Sequence, residues 1–239
     1  MVAITDAGEL VEPALRAPAP QKTRRRRYWR VVQAVGIAVV FVFAANMAIL
    51  AGHMWLRRSL PASTVDIPAR NFHVVDEHVW RGAAPSDAAL KALAANGATT
   101  IVDLRAEDDL NVDEDLLRDL GLTRYHLPIR DGQAPPPELV ATFLRLVDES
   151  DGPTYVHCGA GVGRTGTVVA SYLVTTGQAT PREAAAHNLA VGPPSLEQLA
   201  FAAGLRTEIE RPPAAIVGVS RLLDAPRRVW VHVRGSYTR

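Results

Sequence analysis

The sequence predicts an α/β domain with a central, mostly parallel sheet flanked by helices, preceded by one transmembrane helix. Three observations lead there. Short β-branched runs alternate with helix-length segments through residues 98–176, the pattern of a parallel sheet covered by helices on both faces. The run Pro153–Val156 leads through a glycine-rich loop into the apolar segment 167–174, which reads as strand, loop and helix. Residues Val31 to Leu50 are nearly all apolar, about the length that crosses a bilayer core as a helix.

Composition sets outer limits. A chain of 239 residues, 48% of them hydrophobic, suits one globular domain plus an appendage. A net charge of +1 is too even to argue for nucleic acid as a general partner. Cys158 is the single cysteine, which excludes an internal disulfide and a cysteine-based zinc site. The residues imply no metal and no cofactor.

Residues 1–30 read as a disordered leader ending in a basic block, Lys22 to Arg30. The transmembrane helix is placed at 31–56, with Tyr28, Trp29 and Trp55 where interfacial aromatics belong. More basic charge precedes the span than follows it at Arg57 and Arg58. The positive-inside rule then places the N-terminus in the cytoplasm and the folded domain outside it, as a single-pass membrane protein. A cleaved export signal is the rival reading, since Arg25 to Arg30 loosely resembles a twin-arginine pattern, but no small-residue cleavage site follows promptly.

A linker occupies 57–70, the folded domain 71–211 and an extension 212–239. Phe72–Val75 and Val79–Arg81 are short strand candidates. Ser86 suits the N-cap of a helix Asp87–Ala95, which Asn96-Gly97 ends. Thr99–Leu104 is a buried strand, and the acidic stretch Glu107–Asp119 a surface helix. Arg124–Ile129 is the next strand, and the loop Arg130–Pro137 precedes a helix over Glu138–Glu149. Gly177 closes the helix after the glycine loop. Thr180 to Glu183 and Ser195 to Gln198 are capping boxes, opening helices through Ala190 and about Glu210. The tail reads as a loosely packed extension, with Val229–Val233 able to add a strand.

The chemistry concentrates at His157-Cys158-Gly159-Ala160-Gly161-Val162-Gly163-Arg164-Thr165. Glycines let a loop backbone turn successive N–H groups inward, and the following helix adds the positive end of its dipole. Arg164 can clamp phosphate oxygens with its planar guanidinium. That field favours the thiolate of Cys158. A nucleophile, a ring of donors and a guanidinium at Cys-x5-Arg spacing describe a phosphate site with a covalent nucleophile. A Walker A reading fails, because it needs Gly where Cys158 stands and Lys where Arg164 stands.

His157-Cys158-x5-Arg164-Thr165 resembles the signature loop of the cysteine-dependent protein tyrosine and dual-specificity phosphatases. Val79 to Pro85 is similar to an early segment of the same family, and Asp103-Leu104-Arg105 to its "DLR". Asp103 and Arg105 read as an ion-pairing or loop pair. The resemblance implies a dual-specificity-phosphatase-like fold and a two-step mechanism. Cys158 attacks phosphorus, while Gly159, Ala160, Gly161, Val162, Gly163 and Arg164 hold the phosphate oxygens. Asp131, 27 residues before Cys158 in a Asp-Gly-x-x-Pro-Pro loop, is the proton donor. Thr165 helps the sulfur leave, His157 orients the loop, and Gln198 positions the hydrolytic water.

The implied partner is a phosphorylated protein, dephosphorylated at phosphotyrosine and also at phosphoserine or phosphothreonine. The short domain is similar to dual-specificity enzymes. The loop interior carries no lysine to meet extra phosphates, which weighs against a phosphoinositide substrate, although a membrane anchor pulls towards one. A non-enzymatic, membrane-tethered phospho-binding module is the alternative from another class; the intact Cys158, Arg164 and Asp131 argue against it.

Overall fold

The computed structural model describes residues 22–60, 63–106, 113–206 and 212–224. The N-terminal leader up to residue 21, the stretch 107–112 and the tail from 225 on, with its Val229–Val233 strand candidate, lie outside the described residues. The chain divides after Ala44 into two units. The first holds most of helix α1 (Lys22–Leu56). Within Arg27–Ser59 an 18-residue window reaches a mean hydropathy of 2.4, and side chains such as Ile37, Val40 and Phe43 are exposed. That helix is long and apolar enough to cross a membrane.

The second unit is the α/β domain. Five strands form one sheet in the order β1-β2-β5-β3-β4. They are β1 (His73–Val74), β2 (Val79–Ala83), β3 (Thr100–Arg105), β4 (Thr123–Ile129) and β5 (Thr154–Cys158). Only β1 runs antiparallel to its neighbour. The helices are α2 (Asp87–Ala95), α3 (Glu114–Asp119), α4 (Pro137–Asp148), α5 (Gly163–Thr175), α6 (Pro181–Val191), α7 (Leu196–Ala203) and a last one, α8, over 214–224.

The sheet is covered on both faces, as its central strands require. All five residues of β2 and of β5 are buried, while edge strand β4 is exposed or half-buried until Ile129. Successive residues serve opposite cores. Val79, Val102 and Val156 pack with Phe143 of α4 and Val168 and Tyr172 of α5. Trp80, Ile101 and Tyr155 pack on the other side with Leu90 and Leu93 of α2. Ile67 and Phe72 join that second core, so the expected 57–70 linker is packed against the domain over its last part.

Helix punctuation follows local chemistry. The Ser86 hydroxyl accepts from Ala89 N–H at 3.3 Å, and both capping boxes form, at Thr180 with Glu183 and at Ser195 with Gln198. Gly177 closes α5 at φ 71°. Several boundaries differ from the sequence reading. In the described part of the acidic stretch, α3 starts at Glu114, where Asp113 caps it by accepting Leu116 N–H at 2.9 Å. Helix α4 starts one residue early, since Pro137 fits the first helical turn. Helix α7 stops at Ala203, before Gly204. The tail differs too. Helix α8 is seated on the domain, with Leu223 buried and the buried Ser220 hydroxyl accepting Glu197 N–H at 3.0 Å.

Candidate active site

Cys158 is the last residue of β5 and sits at the C-terminal edge of the sheet, beside Ala83 of β2. Ligands of open parallel sheets bind at that edge. The chain then turns through Gly159–Val162 and enters α5 at Gly163, whose first amides have no intrahelical acceptor. Gly161 adopts φ 72°, and a Cβ there would strike the backbone of Gly82 and Ala83. A side chain is therefore excluded by both conformation and space. Gly166 is constrained by the Asn188 side chain of α6, and Gly163 by the Gln198 amide.

Two residues the sequence did not mark as functional hold this loop from below. Arg81 of β2 is completely buried, and its Nη2 donates to the carbonyls of Gly161 at 2.9 Å and Val162 at 3.3 Å. Burial lowers its pKa to about 10, while the neighbouring Cys158 and Tyr155 work the other way. Asn71 carries a left-handed φ of 54°, and its Nδ2 donates to Ala160 O at 2.9 Å. A basic residue inside an otherwise apolar strand was the available signal for Arg81. Asn71 had no local signal, because its partner lies 89 residues away.

Beneath the loop, His157 is 2% exposed. Burial depresses its pKa to about 4, against the opposing pull of Asp103, whose Oδ1 lies 3.8 Å from Nδ1. His157 is thus neutral and hydrogen-bonds the backbone of Cys158. Asp103 is the hub of the buried polar cluster. It accepts from Arg105 Nη2 at 2.8 Å and Arg124 Nη2 at 2.9 Å. Burial alone would raise Asp103, but the Arg105 hydrogen bonds, His157 and Arg124 hold it well below the carboxylate range. The ion-pairing read for Asp103 and Arg105 is what the structure contains.

The cleft above Cys158 has a volume of about 390 Å³ and is bounded by the loop 159–164, Asp131, Ser195 and Gln198. Arg164 is buried, donates Nη1 to Ile129 O at 3.3 Å, and places Nε 3.6 Å from Asp131 Oδ1. So the loop after β4 brings Asp131 to the cation that follows Cys158 in the chain. That loop is pinned from α7: Ser195 Oγ donates to Gly132 O at 2.7 Å and Gln198 Nε2 to Gln133 O at 3.2 Å. Glu197 accepts Ala134 N–H at 3.1 Å. The Gln198 Oε1 accepts Ser195 N–H at 3.0 Å, so much of its amide is engaged in structure. Thr165 is buried, and its hydroxyl has no hydrogen-bond partner among the described residues. Of the residues the sequence singled out, Cys158, Gly159, Ala160, Val162, Gly163, Arg164, Asp131 and Gln198 line this one cleft, while His157 and Thr165 are buried beside Cys158 and Arg164 in the chain and do not line it.

Comparison with known proteins bears on the family. A family model described as "DSP-PTPase phosphatase fused to NAD+ Kinase" matches residues 65–204. The tyrosine-protein phosphatase cdc-14 of Caenorhabditis elegans is 37% identical over 79 residues, 33% of this chain and 11% of that protein. The probable chloroplastic NAD kinase 2 of Oryza sativa subsp. japonica is 34% identical over 106 residues, 39% of this chain and 10% of that protein. This chain thus spans only a small part of the curated relatives it matches. In fold, the core catalytic domain of the PP-IP phosphatase SIW14 of S. cerevisiae superposes with a TM-score of 0.52 at 19% identity, over 61% of this chain and 90% of that one. With more than half its length matched, this chain belongs to the DSP-PTPase phosphatase family, the cysteine-dependent dual-specificity phosphatases.

Proposed function

We propose that this chain hydrolyses phosphate monoesters of proteins, phosphotyrosine first and phosphoserine or phosphothreonine as well, through a phosphocysteine. The observation that carries the reading is the convergence of Cys158, Arg164 and Asp131 on one cleft, with the acid 3.6 Å from the guanidinium. The Cys158 thiolate attacks phosphorus as the phosphorus–oxygen ester bond breaks. The departing oxygen takes the bond's electron pair and a proton from Asp131. Arg164 and the loop amides hold the remaining oxygens, where charge shifts in the transition state. Asp131, now a carboxylate, then takes a proton from water as that water attacks phosphorus. The sulfur–phosphorus bond breaks, thiolate returns, and inorganic phosphate leaves. Thr165, with its hydroxyl uncommitted, can bond the departing sulfur. One Gln198 amide hydrogen is engaged by Gln133, which leaves its second for the attacking water.

The anchor belongs to the same proposal. Helix α1 spans the membrane once, with a cytoplasmic N-terminus and the catalytic domain on the far side. Alkaline phosphatase and fluorescent-protein fusions at the C-terminus read the side directly. An active alkaline phosphatase supports it, and a fluorescent, enzyme-silent pair overturns it.

Phosphate release by the full-length protein in detergent tests the reaction. Phosphotyrosine, phosphoserine and phosphothreonine peptides are offered beside a phosphoinositide, with Cys158→Ser as blank. Thiol-dependent release from the peptides is expected. Release from the lipid alone would transfer the enzyme to another substrate class, and release surviving in Cys158→Ser would refute the mechanism.

A further inference from the structure

We propose that Arg70 forms a second anion subsite at the mouth of the catalytic cleft, reading an acidic group on the residue beside the phosphorylated one in a protein substrate. The proposal rests on the phosphatase reading above and narrows its substrate class to acidic phosphopeptides. Arg70 bounds the same cleft as Cys158 and Arg164, yet comes from the segment before β1 and not from the phosphate loop. Its side chain is exposed, and among the described residues no carboxylate pairs with it. Its backbone is fixed from both directions. Arg70 O accepts Ala83 N–H at 2.9 Å, and the next residue, Asn71, is tied to the loop at Ala160 O. Phe72 then stacks on Tyr155, with ring centroids 6.3 Å apart. The guanidinium is therefore solvated and free to turn, while the backbone that carries it is registered against the loop that holds the reacting phosphate.

The chemistry of the cleft says what such a cation would meet. Gly159, Ala160, Val162 and Gly163 bring no cation to the floor, so a second anion on the same ring finds no partner there. The additional positive charge stands at the rim, where the neighbouring residue of an extended peptide passes. A planar guanidinium takes a carboxylate or a phosphate through paired hydrogen bonds. The other carboxylate on the cleft wall besides Asp131 is Asp224, engaged by Ser220 Oγ at 3.2 Å. Because Arg70 is exposed, the gain is that of a solvated ion pair, about two- to five-fold, and salt weakens it.

The test uses the full-length protein in detergent with three tyrosine phosphopeptides of equal length, having a neutral flank, an Asp or Glu flank, or a second phosphate on the flank. Vesicles carrying an inositol bisphosphate lipid form a fourth arm. Steady-state kcat and KM are measured for wild type, Arg70→Ala, Arg70→Lys and Arg70→Glu. Wild type should prefer the acidic peptides over the neutral one through KM, about two- to five-fold. Arg70→Ala should erase that ratio, Arg70→Lys keep most of it and Arg70→Glu invert it. Comparing the carboxylate with the phosphate flank shows which anion is favoured. An acidic-to-neutral ratio that is the same in Arg70→Ala as in wild type overturns the subsite. A loss confined to the lipid arm overturns the peptide class. Silence of the wild type in every arm sinks the phosphatase reading itself, a result distinct from an unchanged ratio.

Discussion

Cys158 and Asp131 border one cleft, but the molecule holds them by different means. Cys158 is 2% exposed, at the end of a fully buried strand, and the loop after it is braced by Arg81 and Asn71. Asp131 has a side chain 47% exposed, on a loop after an edge strand, and that loop is pinned through three hydrogen bonds from α7. Cys158 is set by packing that a substitution breaks all at once. Asp131 is set by a few polar contacts that can be loosened one at a time. The two kinds of support suit the nucleophile and acid roles proposed above. The thiol must stay desolvated and aligned in a cradle, whereas the acid must reach leaving groups of various shapes.

The contrast can be broken at its stronger side first. Gly161→Ala puts a side chain against the Gly82 backbone at a left-handed position, with nothing flexible to give way. Activity should fall below detection, and the melting temperature should drop with it. A folded, active Gly161→Ala variant would mean the loop is not held as described.

Asp131→Asn should leave the melting temperature near that of wild type and lower kcat by about 10²–10⁴-fold on alkyl or phenyl phosphates. With p-nitrophenyl phosphate, whose leaving group needs little proton assistance, the loss should be far smaller. Equal losses on both substrates would remove Asp131 from the acid role.

Ser195→Ala tests the pins. It removes both the cap of α7 and the bond to Gly132 O, so it should cost about 1–2 kcal/mol of stability. The accompanying fall in kcat should be confined to substrates with poor leaving groups, matching the pattern of Asp131→Asn. A uniform fall over all substrates would place Ser195 on the nucleophile's side of the comparison.

The effect of pH on stability touches neither side of the cleft alone. His157 and His187 are each depressed to about 4, both mainly by burial, from an ordinary value near 6.5. Groups whose folded-state pKa is depressed contribute stability that is complete above the unfolded value and lost as pH falls through the folded one. The melting temperature should therefore decline between about pH 6.5 and pH 4, and protonation of the low-lying Asp103 should steepen the loss only below that window. Replacing His187 by Gln should remove part of the decline, as thermal melts across that range would reveal.

How much was legible beforehand follows the same division. The phosphate loop is contiguous, so the residue types of 157–165 and their spacing displayed it in full. The alternation of strands and helices gave the sheet, and caps such as Ser86, Thr180 and Ser195 fixed helix starts because capping is decided within four residues. Asp131 could be named only through the resemblance, since an Asp-Gly turn has many ordinary uses. Arg81 and Asn71 were not legible as loop supports. Their partners lie far away in sequence, 80 residues for Arg81 and 89 for Asn71, and only the fold brings them together. Helix α8 was missed for a similar reason, because its anchor is the backbone of Glu197.

The central claim is that Cys158 carries the phosphoryl group between two steps for which Asp131 supplies and removes the proton. The most direct test is rapid acid quench of full-length Asp131→Asn during turnover of p-nitrophenyl phosphate, followed by mass spectrometry of the Cys158 peptide. Because the second step lacks its base, one phosphoryl group should accumulate on the thiol, accompanied by a stoichiometric burst of nitrophenol. Turnover without any thiol-bound phosphate at Cys158 would contradict the account.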